Sequence, residues 1–428
     1  MSLQASALLR GRPAAWPIAR LRRSLLGRHP ALARMLLAGF ISTIGDRLHQ
    51  MAMAALILGM TDSMASAGLV FVVSTIPYAL FSLPAGALVD RWDRRLTMVC
   101  ADLVRGILVV LIPLAALVHL PLVYVLLFLL TCATLAFTPA RQAMVPDLVA
   151  PEELSGANSL FQAVNYAVDL LAFPVAGVLV AGLIAMLGTV RGTQVAFACD
   201  ALSYLASALL LVRLPVVQRA AAQAREPLRR LPRQVAEGLR FLRSNAQVRT
   251  NTVLLTVGPL LLGSLHTLWI GFAWRVSETG AFGYGVVEMS NALGTLAGLL
   301  LLPRISRLVN PGRVIVIGLA IMGAAIAVAG QTDSLAVVAV LAAVCGLGNM
   351  TFLVPSITLV QRQTPAALRG RVFAVRLMFT YSAFSLSNAV AGGLSDVVGV
   401  SPLLVVLGSG MLLLAACATL VPSAREAA

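Results

Sequence analysis

The sequence predicts an all-α membrane protein in which twelve transmembrane helices form two pseudo-symmetric six-helix bundles. The composition is the first observation behind this fold class. Of the 428 residues, 59% are hydrophobic and only 11% are charged, whereas a soluble domain has about 25% charged residues. The mean hydropathy of +0.91 agrees with this reading. The chain is therefore expected to be an integral membrane protein with the lipid bilayer as its surroundings.

The number of apolar runs is the second observation. Because a helix needs about 20 residues to cross the hydrocarbon layer, each run of that length is a candidate span. The runs lie at 32–58, 66–89, 96–118, 120–140, 157–185, 193–213, 251–273, 282–302, 312–330, 334–358, 372–394 and 400–421. The loops between them are short and leave little room for a separate soluble domain.

The position of the longest loop is the third observation, since it divides the runs six and six. We predict a tail, a bundle, a linker, a second bundle and a second tail, at residues 1–31, 32–213, 214–250, 251–421 and 422–428. Apolar residues recur at helical spacing near the end of the linker, which predicts an amphipathic helix on the membrane surface. We interpret it as a connector, and a regulatory or lipid-sensing role is the alternative.

The two halves also contain a weak repeat. "APEELSGANS" follows the fourth run and "TPAALRGRVF" follows the tenth, with Pro, Leu and Gly at matching places. Parallel repeats of this kind imply a pseudo-two-fold axis along the membrane normal. Any substrate site is then expected between the halves, near the middle of the bilayer.

The charge distribution predicts the orientation. The net charge of +15 would suggest nucleic-acid binding in a soluble protein, but here the arginines cluster in alternate loops. That alternation is the positive-inside pattern, so we expect both termini in the cytoplasm and no nucleic-acid partner. All the basic residues are arginine, which indicates a bacterial source, and we therefore expect the inner membrane. The Arg-rich start is interpreted as a cytoplasmic tail, because the run after it is long enough to span and lacks a cleavage site.

A concentrated charge cluster lies between the second and third runs. The stretch "GALVDRWDRR" resembles the G-x-x-x-D-R-x-x-R-R motif of the major facilitator superfamily, with matches at Gly86, Asp90, Arg91, Arg94 and Arg95. The resemblance implies the major facilitator fold and a gating latch, in which the acid caps the cytoplasmic end of the eleventh helix. The alternative is that the arginines only enforce topology. The second half has Leu302 in place of the acid, so one latch of this kind is implied.

Longer stretches resemble the drug/proton antiporter branch, which includes macrolide-efflux proteins and enterobactin exporters. They include "ISTIGDRLHQMAMAALILGMTDS" and "TPARQAMVPDLVAPEELSGANSL". The resemblance implies proton-driven export of a bulky amphiphilic organic molecule by alternating access. One departure is in the fifth run, where the branch often has G-x-x-x-G-P-x-x-G-G. This chain keeps Pro174 and Gly177, but Asp169 and Phe173 replace the two earlier glycines.

Acidic residues inside the runs are the candidate proton carriers, because a charge at the bilayer centre costs about 2.5–3.5 kcal/mol on insertion scales. Asp46 is midway along the first run, with Thr43, Gln50 and Met53 on the same helical face. A static ion pair with Arg47 and direct substrate contact are the alternatives for Asp46. Asp169, which shares a face with polar residues of the fifth run, is the second proton or cation-binding candidate.

A second charged group is expected to be structural. Asp102 and Arg105 are three residues apart, so they meet on one face of the third helix. We interpret them as a neutralising pair coupled to the Asp90 cluster. Arg141, at the cytoplasmic end of the fourth run, is expected to join this network or to snorkel towards the surface.

Polar and soft apolar side chains along several spans are the candidate lining of a substrate cavity. Glu288 is close to the external end of its span, so a hydrated vestibule is an equal alternative, and His266 is interpreted as a packing residue that could titrate near neutrality. The candidates are Gln50, Met53, Gln162, Asn165, Trp269, Glu288, Asn291, Asn349, Phe352, Tyr381 and Asn388. For any single candidate, packing is the commoner role.

The remaining motifs bear on the class of function. The sequence shows no metal-ligand spacing, no nucleophile elbow and no phosphate-binding glycine loop. We therefore expect a monomeric transporter of a small organic substrate and protons, with no catalysis, metal or cofactor. The alternatives are a lipid or lysolipid translocator or an uncoupled facilitator on the same fold, and a receptor or scaffold that has lost transport. Two retained intramembrane acids argue against the last.

Overall fold

The computed structural model describes residues 26–89, 92–150, 153–215, 231–308, 310–365 and 368–421. Within these ranges every regular element is helical. The first five helices are α1 Pro30–Thr61, α2 Met64–Val89, α3 Arg94–Val118, α4 Leu120–Leu148 and α5 Leu154–Leu211. Local chemistry sets several of their ends: α1 begins with a proline and ends at Asp62 with φ of 47°, and Asp93 caps α3 by accepting a hydrogen bond from the Leu96 amide.

The element α5 comprises two helices, together 58 residues long, that meet at Gly188 and form two spans. Its backbone is non-helical at Gly188, where φ is 79° and ψ is 165°. Glycine adopts this left-handed region without a steric penalty, so the chain turns back at this point. The turn lies in the predicted gap between the fifth and sixth runs.

The second half begins with the linker helix α6 Leu231–Ser244, followed by α7 Ala246–Leu262 and α8 Leu265–Gly271. A π-helix, Phe272–Val276, continues α8. The last helices are α9 Gly280–Leu308, α10 Pro311–Ala329, α11 Leu335–Gln363, α12 Arg369–Val398 and α13 Val400–Leu420. The predicted single run at 251–273 is thus broken after Leu262, three residues beyond Pro259, which lacks the amide that a regular helix requires.

The described helices account for twelve spans. Nine segments are long and apolar enough to cross a bilayer, and one of them, Leu170–Leu211, contains the turn at Gly188 and the whole sixth run. Helices α1 and α12 have 32 and 30 residues and supply the other two spans. With an even number of spans, the start of α1 and the end of α13 lie at one end of the molecule, which we call the terminal end. The opposite end is the distal end.

Among the described residues, the bundles are joined most extensively by two pairs of helices, α2 with α12 and α5 with α9. Glycines permit the close approach in both pairs. A Cβ atom added to Gly68 of α2 would lie 2.6 Å from the carbonyl oxygen of Asn388 in α12, and one added to Gly177 would lie 3.1 Å from the Cα atom of Gly285. Both contacts lie in the distal halves of the helices. The bundles are therefore packed tightly against each other at the distal end.

The linker helix α6 packs against the terminal end of α12. Its Gly238 faces the backbone of Arg371, and the Arg371 guanidinium contacts the carboxylate of Glu237. Leu242 is buried, with 4% of its surface exposed. The helix lies at the end of the predicted linker and its apolar side covers the second bundle, while its place on the membrane surface stays a prediction.

Candidate substrate and proton site

A cavity of about 250 Å³ lies beside the midpoint of α1. Its wall is mostly apolar and comes chiefly from the first bundle, with Ile270 of α8 as the contribution of the second. The lining residues are Asp46, Arg47, His49, Gln50, Met53, Ala54, Ala67, Val70, Phe71, Ser74, Tyr78, Leu127, Leu130, Thr131, Thr134, Tyr204 and Ile270. Three of the predicted site residues, Asp46, Gln50 and Met53, therefore share one cavity.

The carboxylate of Asp46 is bound to the second span of α5. The hydroxyl of Tyr204 donates a hydrogen bond to Oδ1 of Asp46 over 2.5 Å, and only 1% of Tyr204 is exposed. The guanidinium of Arg105 lies 4.5 Å from the centre of the Tyr204 ring. The phenol donates to Asp46 and Arg105 stacks over the phenol ring, so the three side chains form one contiguous polar group.

One turn further along α1, His49 reaches a second acid in α5. The Nδ1 atom of His49 lies 2.7 Å from Oδ2 of Asp200, which is fully buried. The Ser203 hydroxyl donates to Oδ1 of Asp200 over 3.1 Å. Gly45 makes this approach possible, since a Cβ atom at its position would lie 2.2 Å from Oδ1 of Asp200.

Asp46, His49 and Asp200 together form what we call the α1–α5 acid cluster. One potential ligand atom from each lies within 4.8 Å of the others, and carboxylates with imidazole are also ligand types that divalent transition metals accept. Both oxygens of Asp200 already accept hydrogen bonds, however, from His49 and Ser203. The arrangement as it stands is a hydrogen-bonded group of two carboxylates and an imidazole, and the expectation of no metal centre stays a prediction.

A chain of polar contacts continues from this cluster towards the second bundle. Arg47 lies 4.5 Å from the centre of the Phe173 ring and donates to Oε1 of Gln50 over 2.9 Å. Gln50 in turn donates to the hydroxyl of Tyr284 in α9 over 3.4 Å. Gln50 therefore links α1 to the opposite bundle.

The second bundle holds its own acid and histidine pair. Nδ1 of His266 lies 2.7 Å from Oε1 of Glu288, and the Glu288 side chain is only 5% exposed. The ring of Phe71 from α2 stacks on His266 with ring centres 5.8 Å apart. The structure buries Glu288 in a pair with His266, and its expected place in the cavity or in a hydrated vestibule stays a prediction.

Asp102 and Arg105 meet as their spacing predicts. Arg105 contacts the Asp102 carboxylate directly, and the two side chains are 2% and 0% exposed. Arg141 stacks its guanidinium 4.8 Å from the centre of the Phe161 ring, and its tip lies against Gly39 of α1. The coupling of these residues to the Asp90 cluster stays a prediction, because Asp90 is outside the described residues.

The motif predicted as a gate is only partly described. Asp90 and Arg91 lie outside the described residues, and the surroundings of Gly86 are not described either. Arg94 contacts both the Asp147 carboxylate and the carbonyl oxygen of Ala143, and so fastens α3 to α4. Arg95 is half-buried in the first turn of α3. Asp147 is a partner that the sequence analysis did not identify.

A second ionic group joins the bundles at the distal end, and we call it the distal latch. Asp396 near the end of α12 caps the start of α2, because it accepts hydrogen bonds from the amides of Met64 and Ala65, each over 2.8 Å. It also accepts from the Ser63 hydroxyl over 2.8 Å. Arg275 of the π-helix donates to Asp396 over 2.9 Å and to the carbonyl oxygen of Asp62 over 2.5 Å.

Several predicted cavity residues pack between helices in this structure. Trp269, Phe352 and Asn388 are 2%, 4% and 1% exposed. Asn388 accepts from the Thr267 hydroxyl over 2.7 Å and donates to the carbonyl oxygen of Gly263 over 3.0 Å. It therefore supplies a hydrogen-bond donor to a backbone carbonyl group at the break between α7 and α8.

Of the other predicted cavity residues, four have described side chains and Gln162 does not. Asn291 donates to the carbonyl oxygen of Ala342 over 3.3 Å, and Tyr381 stacks on the cavity residue Tyr78 with ring centres 5.0 Å apart. Asn165 and Asn349 are half-buried. The side chains of Gln162 and of the predicted proton carrier Asp169 lie outside the described part of the structure, so the roles of both stay predictions.

A comparison of the sequence with models of known protein families identifies the family of this chain. A family model described as the Major Facilitator Superfamily matches residues 35–388. The chain belongs to the Major Facilitator Superfamily. It is accordingly a multi-pass membrane transporter and not an enzyme.

Named relatives are similar over nearly the whole chain. The multidrug efflux pump Tap of Mycolicibacterium fortuitum is 27% identical over 405 residues, which cover 92% of this chain and 96% of that protein. Macrolide efflux protein A of Streptococcus pyogenes is 24% identical over 396 residues, covering 90% and 94%. Among solved structures, the nucleoside transporter NupG superposes with a TM-score of 0.74 at 11% identity, covering 91% of this chain and 98% of that one. At that identity the likeness shows the fold alone.

Proposed function

We propose that this protein exports bulky amphiphilic organic molecules of the drug or macrolide class, in exchange for protons, by alternating access. The observation that carries the proposal is the carboxylate of Asp46 in the wall of a largely apolar cavity, bound by Tyr204 at the midpoint of α1. An acid at this depth is costly to keep, and the names of the relatives support a drug-efflux role.

The bilayer orientation follows the arginine distribution. The sequence predicts that the linker and most of the arginine clusters lie at the terminal end, so we propose that this end faces the cytoplasm at a bacterial inner membrane. Because the bundles are tightly packed at the distal end, the structure fits the conformer that receives substrate from the cytoplasmic side. In the opposite conformer, the Asp90 motif would close the terminal end against α12. We treat a monomer as the functional unit.

The size of the cavity restricts how the substrate enters. Sites for drug-sized ligands usually have about 300–1,000 Å³, and the present cavity has about 250 Å³. A macrolide therefore requires the bundles to move apart. We propose that protonation of Asp46 weakens its attraction to Tyr204 and the Arg105 cation, and that this change accompanies the movement.

Proton movement in inverted membrane vesicles tests the proposal. The vesicles are energised to an acid interior, and a pH-sensitive dye follows the interior while erythromycin, tetraphenylphosphonium or a catecholate siderophore is added. We expect alkalinisation with wild type and a strongly reduced signal with Asp46→Asn. Asp333→Asn is the matched control, because Asp333 is an exposed acid of the loop after α10.

The uncoupled alternatives make a different prediction in the same vesicles. If labelled substrate or a labelled lysolipid crosses the membrane while none of the compounds moves protons, proton coupling is refuted. The protein would then be an uncoupled facilitator or a lipid translocator on the same fold.

A further inference from the structure

We propose that His49 and Asp200 form a second proton-binding site of the transport cycle, placed behind Asp46 and reached from the cavity through the imidazole. This inference rests on the proton coupling proposed above, and it identifies residues other than Asp46 and Asp169. Its basis is the placement of a fully buried carboxylate against a histidine that itself lines the cavity.

The burial of the two partners defines a direction of access. The Asp200 side chain has no exposed surface, whereas 14% of the His49 side chain is exposed. His49 is also part of the cavity wall, and Asp200 is not among the lining residues. A proton arriving in the cavity therefore meets the imidazole first. Transfer along the hydrogen bond from Nδ1 of His49 then brings it to Oδ2 of Asp200.

The charge of the pair changes with a single proton. With a neutral imidazole and an ionised carboxylate the pair carries one negative charge, whose burial in a low-dielectric interior is unfavourable. One added proton makes the pair neutral overall, either as imidazolium with carboxylate or as imidazole with carboxylic acid. Histidine is the side chain whose ordinary titration range is closest to neutral pH, so the pair is chemically suited to exchange a proton under cellular conditions.

The groups around the pair determine how strongly it attracts that proton. From α1 the pair faces Asp46 and Arg47, and from α5 it faces Ser203 and Tyr204; the Ser203 hydroxyl donates to Asp200 directly. The helices packed around α1 and α5 contribute three more distant groups. Arg105 of α3 lies over the Tyr204 ring, and Tyr78 of α2 is part of the cavity wall. Tyr284 of α9 accepts a hydrogen bond from Gln50. Asp46 adds a second negative charge to the cluster, and we expect the two sites to bind protons in a coupled manner.

The same bonds connect proton binding to movement. Both polar links of the cluster, His49 to Asp200 and Tyr204 to Asp46, join α1 to the second span of α5. Helix α1 also contacts the opposite bundle through Gln50 and Tyr284. A change of charge in the cluster therefore acts on a helix that touches both bundles.

Infrared difference spectroscopy tests proton binding without any substrate. Purified full-length protein in lipid nanodiscs is stepped between acidic and alkaline pH, and the C=O stretching band of protonated carboxyl groups is recorded. We expect wild type to show a carboxyl band that titrates. Asp200→Asn should lose one component of that band, and His49→Gln should move its midpoint by about one pH unit or more.

Two controls separate this assignment from a general change in the protein. Asp333→Asn removes an exposed acid by the same chemical substitution and should leave the buried component unchanged. Asp46→Asn should remove a different component and shift the one assigned to Asp200. If the carboxyl component survives in Asp200→Asn, or if His49→Gln leaves its midpoint where it is in wild type, the assignment is refuted. His49→Gln keeps that test decisive where Asp200→Asn does not fold.

A transport measurement then separates failure of this inference from failure of the proposed function. In reconstituted vesicles, erythromycin accumulation is measured against the external pH. If wild type depends on pH and Asp200→Asn and His49→Gln show the same profile, proton coupling stands and the role of the pair is refuted. If the wild-type profile is flat, both proposals fail. We expect erythromycin accumulation by wild type to depend on the external pH. In both variants the slope of that dependence at its steepest point should be about tenfold smaller.

Discussion

Removing the carboxylate of Asp396 should release the distal latch. This side chain is a helix cap and an ion-pair partner at once, because it accepts hydrogen bonds from the amides of Met64 and Ala65 and from Arg275. These contacts join α12 and the π-helix to α2. They exist only while the distal ends are together, so Asp396→Ala changes the balance between conformers more than it changes either bundle.

The magnitude follows from the kinds of contact that are lost. Loss of a capping side chain costs about 0.5–2 kcal/mol, and exposed ion pairs add about 0.2–1 kcal/mol. The Asp396 side chain is 26% exposed, so solvent screens part of the ionic contribution. We expect the distal-closed conformer to lose about 1–2 kcal/mol, which raises the ratio of distal-open to distal-closed protein about 5- to 30-fold.

Distance measurements between spin labels test this prediction. Labels at Met186 in the first bundle and Gln331 in the second report the distal separation, in a background whose five native cysteines are replaced by alanine. Wild type should give a dominant short distance, and Asp396→Ala a larger long-distance population. Asp333→Ala is the control. An unchanged distribution in Asp396→Ala, or an equal change in the control, would show that the latch does not hold the distal end closed.

Three further substitutions test the packing and the site. Gly68→Val should favour separation of the distal ends and reduce transport, since its Cβ atom alone would lie 2.6 Å from the carbonyl oxygen of Asn388; the same label pair measures this, and a wild-type distribution would contradict it. Gly45→Ala forces α1 away from α5, so we expect the apparent unfolding temperature to fall by an amount equivalent to about 1–3 kcal/mol. A thermal unfolding transition identical to that of wild type would contradict this. Tyr204→Phe removes the hydrogen bond to Asp46 and should move the pH dependence of transport while leaving the protein folded. A pH profile that does not move would exclude the phenol from the proton site.

Much of the fold follows from local properties of the sequence. The length of each apolar run predicts a span, and twelve spans are present because crossing a bilayer requires a fixed length of helix. The shared face of Asp46, Gln50 and Met53 follows from helical spacing alone, and all three line one cavity. The pairing of Asp102 with Arg105 follows in the same way, since the residues are one turn apart.

The parts of the site that the sequence does not predict depend on contacts between residues far apart in the chain. Asp200 lies in the apolar sixth run, and its insertion cost could have marked it as a functional candidate. Its partner His49 is 151 residues earlier in the chain, so the pair is created only by the packing of α1 on α5. The distal latch is similar, because Asp396 caps a helix that begins 332 residues before it. Sequence spacing carries no signal for either contact.

The measurement that tests the central claim most directly is drug accumulation by purified protein in vesicles with an imposed proton gradient. Proteoliposomes with an acid interior receive labelled erythromycin, and uptake is compared before and after nigericin collapses the gradient, for wild type and Asp46→Asn. Accumulation in wild type that nigericin abolishes and that Asp46→Asn lacks is the predicted result. Accumulation that survives nigericin, or that Asp46→Asn reproduces in full, would contradict proton exchange through Asp46.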